Sequence, residues 1–423
     1  MLKIDKLTLP NKLRIRVMPM PSIETVTVAI AVRAGSRYET KSINGVAHFL
    51  EHMFFKGGKR YPTPRDVAAA IDAVGGYSNA FTGEEYVGYY VKVPKDQVEV
   101  GFDVLSDMLL NSQFEAEGFE RERGVILEEY NMYEDQPQSK VWDVYRDLMA
   151  GDQPMGWPIT GTRQTIKSIT RKNLLDYRAK LYTPANMVVS VAGNVTPAKV
   201  RQLVKKYLPM PKGGKKNHPV PYKPLKTAKK MDVMRRKTEQ AHLLLGTLTF
   251  GLNHPDIHVA RVLADVLGGG MSSRLFTAVR ERLGLAYYVR AGADHYTDTG
   301  HFVVQAGVDV KRIDLAIKTI LEELKAITKE LVPEKELKKA KESIIGSMMM
   351  SLESSNAIAF NVGFQDLLED KIETPEVIAK KVRAVTAAQV QKLAKKIFQD
   401  DRLVLAVVGP YSSSDKIKKA FKL

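Results

Sequence analysis

The chain has 423 residues, 44% hydrophobic and 26% charged, enough for two or three domains with sizeable cores. It contains no cysteine, which excludes disulfides and thiolate metal sites, so any transition metal must be held by histidine and carboxylate. The net charge of +16 is spread over lysines mixed with other residue types, without the basic and aromatic interleaving of a base-stacking platform, and no apolar run reaches the ~18 residues of a membrane span. Neither nucleic acid nor membrane is therefore expected as a partner. The N-terminal stretch MLKIDKLTLPNKLRI alternates apolar and polar residues and lacks the continuous apolar run of a signal peptide. Together with the missing cysteines, this points to the cytoplasm.

In chain order, Thr25–Val32 (TVTVAIAV) reads as a strand. Gly45–Phe55 reads as a helix closed by Lys56-Gly57-Gly58. A second helix, Pro64–Val74, starts after Thr63 as N-cap and stops at Gly75-Gly76. Tyr86–Val93 (YVGYYVKV) is another strand, and Val98–Asn111 and Phe119–Tyr133 are longer helices. Residues 170–193 and 386–409 each read as an amphipathic helix, a short turn and a buried strand ending at glycine. They match without a gap at an offset of 216 (386 against 170). A duplication of that period implies two similar domains. Four prolines, two glycines and many lysines between 210 and 230 read as an extended linker. The expected architecture is α+β: two duplicated α/β-sandwich domains, each a mixed or antiparallel sheet packed with helices. The boundaries are 1–210 for the first domain, 211–231 for the linker and 232–423 for the second.

The segment His48-Phe49-Leu50-Glu51-His52 carries the chemistry. On a helix, residues i and i+4 lie one above the other, so both imidazoles reach one ion and Glu51 lies on the same side. A catalytic zinc needs three protein ligands, an open position and a base beside it. The competing reading is a pair of histidines at the edge of a core. In the helix over 117–133, Glu122, Ile126, Glu129 and Tyr133 share one face. Glu129 is the expected third ligand, and Glu122, two turns away, is the expected carboxylate behind a ligating imidazole. A surface ion pair of Glu122 with Arg121 or Arg123 is the alternative. Glu128 points about 100° away from Glu129 and reads as solvated. His254 and His258 also lie four apart, but Pro255 opens the helix and leaves His254 outside it, so they read as a helix start and a packing residue. His295 and His301 sit in a hairpin-like stretch with no ligand spacing.

HFLEHMFFKG at 48–57 and ERGVILEEY around Glu129 resemble the pitrilysin–insulinase family of metallopeptidases, in particular its short members related to the mitochondrial processing peptidase. NAFT at 79–82 and LGGGMSSRLFTAVRERLGLAYYV at 267–289 also match, so the resemblance spans both halves. It implies one Zn2+ per chain held by His48, His52 and Glu129, with Glu51 as general base. It also implies a substrate-holding pair, Arg280 and Tyr287, and an edge strand, Asn79-Ala80-Phe81-Thr82, that takes a substrate peptide by main-chain hydrogen bonds. Aligning Ala47–Met53 with Ala260–Val266 puts Arg261, Ala264 and Asp265 opposite His48, Glu51 and His52, so the second half is expected to lack the metal site and to contact substrate. Longer family members join two such units. This chain is therefore expected to close face to face as a homodimer, or with a non-catalytic relative as a heterodimer, around peptides or short unfolded polypeptides. The expected function is zinc endopeptidase, and the alternative is a non-catalytic core subunit of a larger assembly.

Overall fold

A computed structural model describes residues 2–225 and 230–422. Residues 226–229 of the expected linker, and residues 1 and 423 at the expected domain ends, lie outside the described residues. Two compact units are formed, each around its own sheet. Among the described residues no helix is long and apolar enough to cross a membrane.

The first unit carries β1 (Asp5–Thr8), β2 (Arg14–Pro19), β3 (Thr25–Val32), β4 (Tyr77–Thr82), β5 (Val87–Pro94) and β6 (Met187–Gly193) in the order β1-β2-β6-β3-β5-β4. Only β2 and β6 run parallel. The β-branched run of β3 is buried on both faces because both are covered. Val26, Val28, Ile30 and Val32 join the main core with Phe102 and Leu105 of the helix Val98–Asn111 and with Leu50 and Phe54 of α1 (Val46–Phe54). On the opposite face Ala29 packs with Met18 and Ala192 against Ile358, Ala359 and Val362 of the helix Ser355–Phe364.

The second unit repeats the topology without the outermost strand. β7 (Met231–Arg235), β8 (Gln240–Leu248), β9 (Ala286–His295), β10 (Gly300–Asp309) and β11 (Val404–Gly409) lie in the order β7-β11-β8-β10-β9, and only β7 and β11, the counterparts of β2 and β6, run parallel. The internal repeat reaches the level of helix caps. Thr170 with Asn173 opens Arg171–Leu181, and Thr386 with Gln389 opens Ala387–Ile397, each as a reciprocal capping box.

The units are not the two linear halves. The first takes Met1–Tyr130, Trp157–Val220 and Met350–Thr374, and the second takes the remainder. The helix Pro137–Ala150, early in the chain, lays Val144, Tyr145 and Leu148 on Leu244, Val303 and Ala406 of the second sheet. Ser355–Phe364, late in the chain, covers the first sheet, where Thr27 bonds Ser355 and Asn356 and Arg16 pairs with Asp366 at 3.0 Å. Each sheet has an apolar outer face that its own half does not cover. The linker residues up to Val220 lie along the first unit, with Asn186 bonding Lys215 and Arg37 bonding Val220.

One buried carboxyl fixes the start of α1. Glu39 accepts from the backbone N–H of Gly45 and Ala47 and from the Asn44 amide, each at 2.9 Å. Burial pushes this carboxyl up to about 8, with the three donors pulling back. Gly45 holds φ +95° with a Cβ position only 2.6 Å from the Thr160 carbonyl, so no side chain fits there. Glu39→Ala strands buried N–H groups at the helix start. It is expected to lower stability by about 1–3 kcal/mol per stranded donor, read as a reduced midpoint in urea unfolding.

Candidate metal centre

α1 presents two faces. Phe49, Leu50, Met53 and Phe54 face the core, and His48, Glu51 and His52 face the helix Ala116–Glu134 and β4. The two helices are locked by aromatic packing. Phe49 stacks on Phe119 with ring centroids 4.7 Å apart, and the Arg123 guanidinium caps Phe119 at 4.8 Å. Arg123 also bonds the carbonyls of Ile166 and Ile169. Ile126, one turn beyond Glu122, is buried. This packing aims Glu122 and Glu129 at the histidines. Tyr133, expected on the same stripe, is instead exposed, so the buried face ends near Glu129.

His48, His52 and Glu129 converge, with ligand atoms all within 4.8 Å of one another. Both imidazoles present Nε2 to the same carboxylate oxygen, Glu129 Oε2, at 3.6 Å from His48 and 3.3 Å from His52. With metal–donor bonds of about 2.0–2.1 Å, the edge of a tetrahedral zinc site is about 3.4 Å. The donor set therefore fits zinc in chemistry and in spacing. Behind it, His52 Nδ1 bonds Glu122 Oε1 at 2.8 Å, and Lys56 Nζ meets the other oxygen at 2.6 Å. Glu122 is 3% exposed and belongs to this chain of contacts; Arg121 and Arg123 pair with Glu117 and Glu120 instead. Glu128 is exposed.

Electrostatics sort the two histidines. Burial, and then the neighbouring His52, push His48 down to about 4. Burial acts on His52 in the same sense, but its hydrogen bonds to Glu122 and Glu129 outweigh it and raise the group to about 9. His52 thus lies between two carboxylates, Glu122 at its Nδ1 and Glu129 at its Nε2. Burial also acts to raise Glu122, yet the bonds from His52 and Lys56 hold it below the usual carboxylate range. Glu51 is pushed up by burial, with the Thr82 hydroxyl that bonds its Oε2 pulling back.

The remaining expected residues lie on both units. Asn79, Ala80, Phe81 and Thr82 are in β4, the last strand of the first sheet, bonded on one side only to β5. Arg280 lies in the π-helical turn Phe276–Arg282, its guanidinium 4.7 Å from the Phe276 ring and 5.8 Å from that of Tyr287. Arg280 and Tyr287 are both exposed, Tyr287 at 72%, and Tyr287 lies on β9 at the edge of the second sheet. The helix Ile257–Gly268, counterpart of α1, carries Arg261, Ala264 and Asp265 at the aligned positions. Among the described residues His48, His52 and Glu129 form the one group of ligand type. His254 precedes that helix and stacks on Phe250 at 3.8 Å.

Sequence reasoning missed Lys56, Glu39 and the bond from Thr82 to Glu51. Lys56 stands four residues after His52, so helical spacing offered a signal; the other two are contacts between distant elements. Zinc affinity, measured by chelator competition, is expected to fall about 10–100-fold in Glu122→Ala. It should fall by a smaller factor in Lys56→Met and stay near the starting value in Lys56→Arg.

Residues 17–163 match the model of the insulinase family, peptidase family M16, and residues 168–344 match that of the peptidase M16 inactive domain. The chain is 37% identical over 407 residues to YmxG of Bacillus subtilis, described as an uncharacterized zinc protease, covering 96% of this chain and 98% of that protein. It is 34% identical over 427 residues to an uncharacterized zinc protease of Mycobacterium leprae, covering 99% and 95%. A protease from Helicobacter pylori superposes with a TM-score of 0.88 at 22% identity, covering 97% of this chain and 100% of that one. A peptidase M16 inactive domain from Pseudomonas fluorescens superposes at 0.90 with 19% identity, covering 97% and 99%. These two likenesses, and one of 0.86 to a chain of Complex III2 from Candida albicans at 18% identity over 99% of each chain, concern the fold. The two sequence relatives, similar along nearly their whole length, place the chain in the M16 (insulinase) family of peptidases.

Proposed function

We propose that the chain is a zinc-dependent endopeptidase with one zinc ion held by His48, His52 and Glu129. The observation that carries this reading is the convergence of those three side chains with Glu51 on the same face of α1. A zinc ion held there would supply Lewis acidity toward a scissile carbonyl and toward an attacking water. Glu51 takes the proton of that water and delivers it to the leaving amine. Glu122 holds the His52 ring so that Nε2 points toward Glu129, where it would serve as a ligand.

The substrates are peptides or short unfolded polypeptides. An extended peptide adds to the free edge of β4 along Asn79–Thr82, with main-chain hydrogen bonds that tolerate many sequences. Arg280 and Tyr287 hold substrate carbonyls and the developing oxyanion. We place them in the site of a second copy, so that a homodimer encloses the substrate; a heterodimer with a non-catalytic relative is the variant form. The lack of cysteine supports a reducing compartment, the cytoplasm.

Two experiments test these statements. With a fluorogenic peptide and a zinc assay, the wild-type chain is expected to bind one zinc and cleave, and Glu51→Gln to bind zinc and lose about three orders of magnitude or more in turnover. A chain without zinc or activity supports the core-subunit reading instead. For the shared site, a Glu51→Gln chain is mixed with an Arg280→Ala chain. The exchanged dimers regain activity if Arg280 acts across the interface; dimers that exchange without recovery contradict that arrangement.

A further inference from the structure

We propose that Thr82 is the positioning residue for the general base, holding one oxygen of Glu51 so that the other faces the metal side. This deepens the peptidase reading and rests on it. The Thr82 hydroxyl donates to Glu51 Oε2, and this is the hydrogen bond that the carboxylate makes among the described residues. The buried Tyr89 and Tyr182 hydroxyls bond each other at 2.7 Å. With Oε2 engaged, Oε1 is left to accept a proton.

The fold makes Thr82 a rigid anchor. Side chains alternate along β4, so Ala80 and Thr82 face the helices while Phe81 faces the other way. Ala80 is buried in the main core. The Phe81 ring is held among Phe360 at 5.0 Å, Phe364 at 5.7 Å and Tyr86 at 6.1 Å. It also lies over Gly88, its cross-strand partner, where a Cβ would stand 2.6 Å from the ring. Directly after Thr82 the hairpin closes with Gly83 N–H on the Tyr86 carbonyl at 2.8 Å, and the Gly83 and Glu84 carbonyls accept from Ser36 and Arg37. Both faces of the strand and its turn are therefore pinned, and the hydroxyl has a defined position.

A glutamate reaches its carboxylate through three rotatable bonds, and proton transfer depends on geometry before basicity. Misplacing a reacting group by about 1 Å costs about 100-fold in rate. Thr82 also sits on the strand proposed to receive the substrate. The same backbone that docks the peptide thus sets the base, which ties substrate register to the position of the proton acceptor.

The test uses the full-length, zinc-loaded chain and three substitutions. Thr82→Val keeps the shape and removes the hydroxyl; Thr82→Ser keeps the hydroxyl. Thr82→Val is expected to lower kcat about 10–100-fold with KM within about twofold. Zinc affinity by chelator competition should be unchanged, and Thr82→Ser should restore kcat to within about threefold of wild type. Because Thr82 acts through Glu51, adding Thr82→Val to Glu51→Gln should change the residual rate by less than about twofold. An unchanged kcat in Thr82→Val, a change confined to KM, or an equal loss in the Glu51→Gln background overturns the inference while leaving the peptidase reading intact. A zinc-loaded wild-type chain that cleaves no peptide contradicts the peptidase reading itself, and this inference with it.

Discussion

The candidate centre depends on the contact between α1 and the helix Ala116–Glu134. Two imidazoles on one helix can offer an ion only two donors, and the third must come from elsewhere in the chain. Phe49 stacked on Phe119 under Arg123, with Ile126 buried beside them, sets the spacing and rotation that put Glu129 Oε2 between the two Nε2 atoms. The aromatic and apolar surface supplies the binding energy of the helix pair. Carboxylates gathered in a buried site repel one another unless paired, and here Glu122 is paired with His52 and Lys56.

The duplicated unit separates what the fold requires from what the chemistry requires. The second sheet keeps the strand order, the parallel pair and the threonine-capped helix before β11. Its counterpart of α1 keeps the apolar face, with Val262, Leu263 and Val266 buried, yet carries Arg261, Ala264 and Asp265 where the first unit has ligands and base. Stability of this architecture therefore does not need the polar cluster. In the first unit two histidines and three glutamates, counting Glu51, Glu122 and Glu129, are gathered at a partly buried place, an arrangement with a desolvation cost and, among the described residues, no counterpart in the second.

Much of this was legible in the sequence, and the reasons for the rest are physical. Thr25–Val32 and Val98–Asn111 form the elements expected at those residues, because β-branched alternation and helical periodicity are local signals. The pairing of Glu122 and Glu129 on one helical stripe follows from the 3.6-residue turn, and the structure brings both to the histidines. Tyr133 on the same stripe is exposed, since periodicity says which residues share a face but not how far a neighbour covers it. The reciprocal placement of Pro137–Ala150 and Ser355–Phe364 was not legible. Each helix is amphipathic or apolar in its own right, and nothing local says which sheet it covers. The same holds for Glu39 at the start of α1 and for the Thr82–Glu51 bond, in which two elements 31 residues apart meet only through sheet formation.

The most direct measurement is an anomalous difference map at the zinc absorption edge from crystals of the chain grown with one equivalent of zinc. One peak per chain is expected, bonded to Nε2 of His48, Nε2 of His52 and a Glu129 oxygen at about 2.0–2.2 Å, with a fourth position open to solvent. A peak at other residues, or none while these three side chains turn away from one another, would contradict the proposed centre.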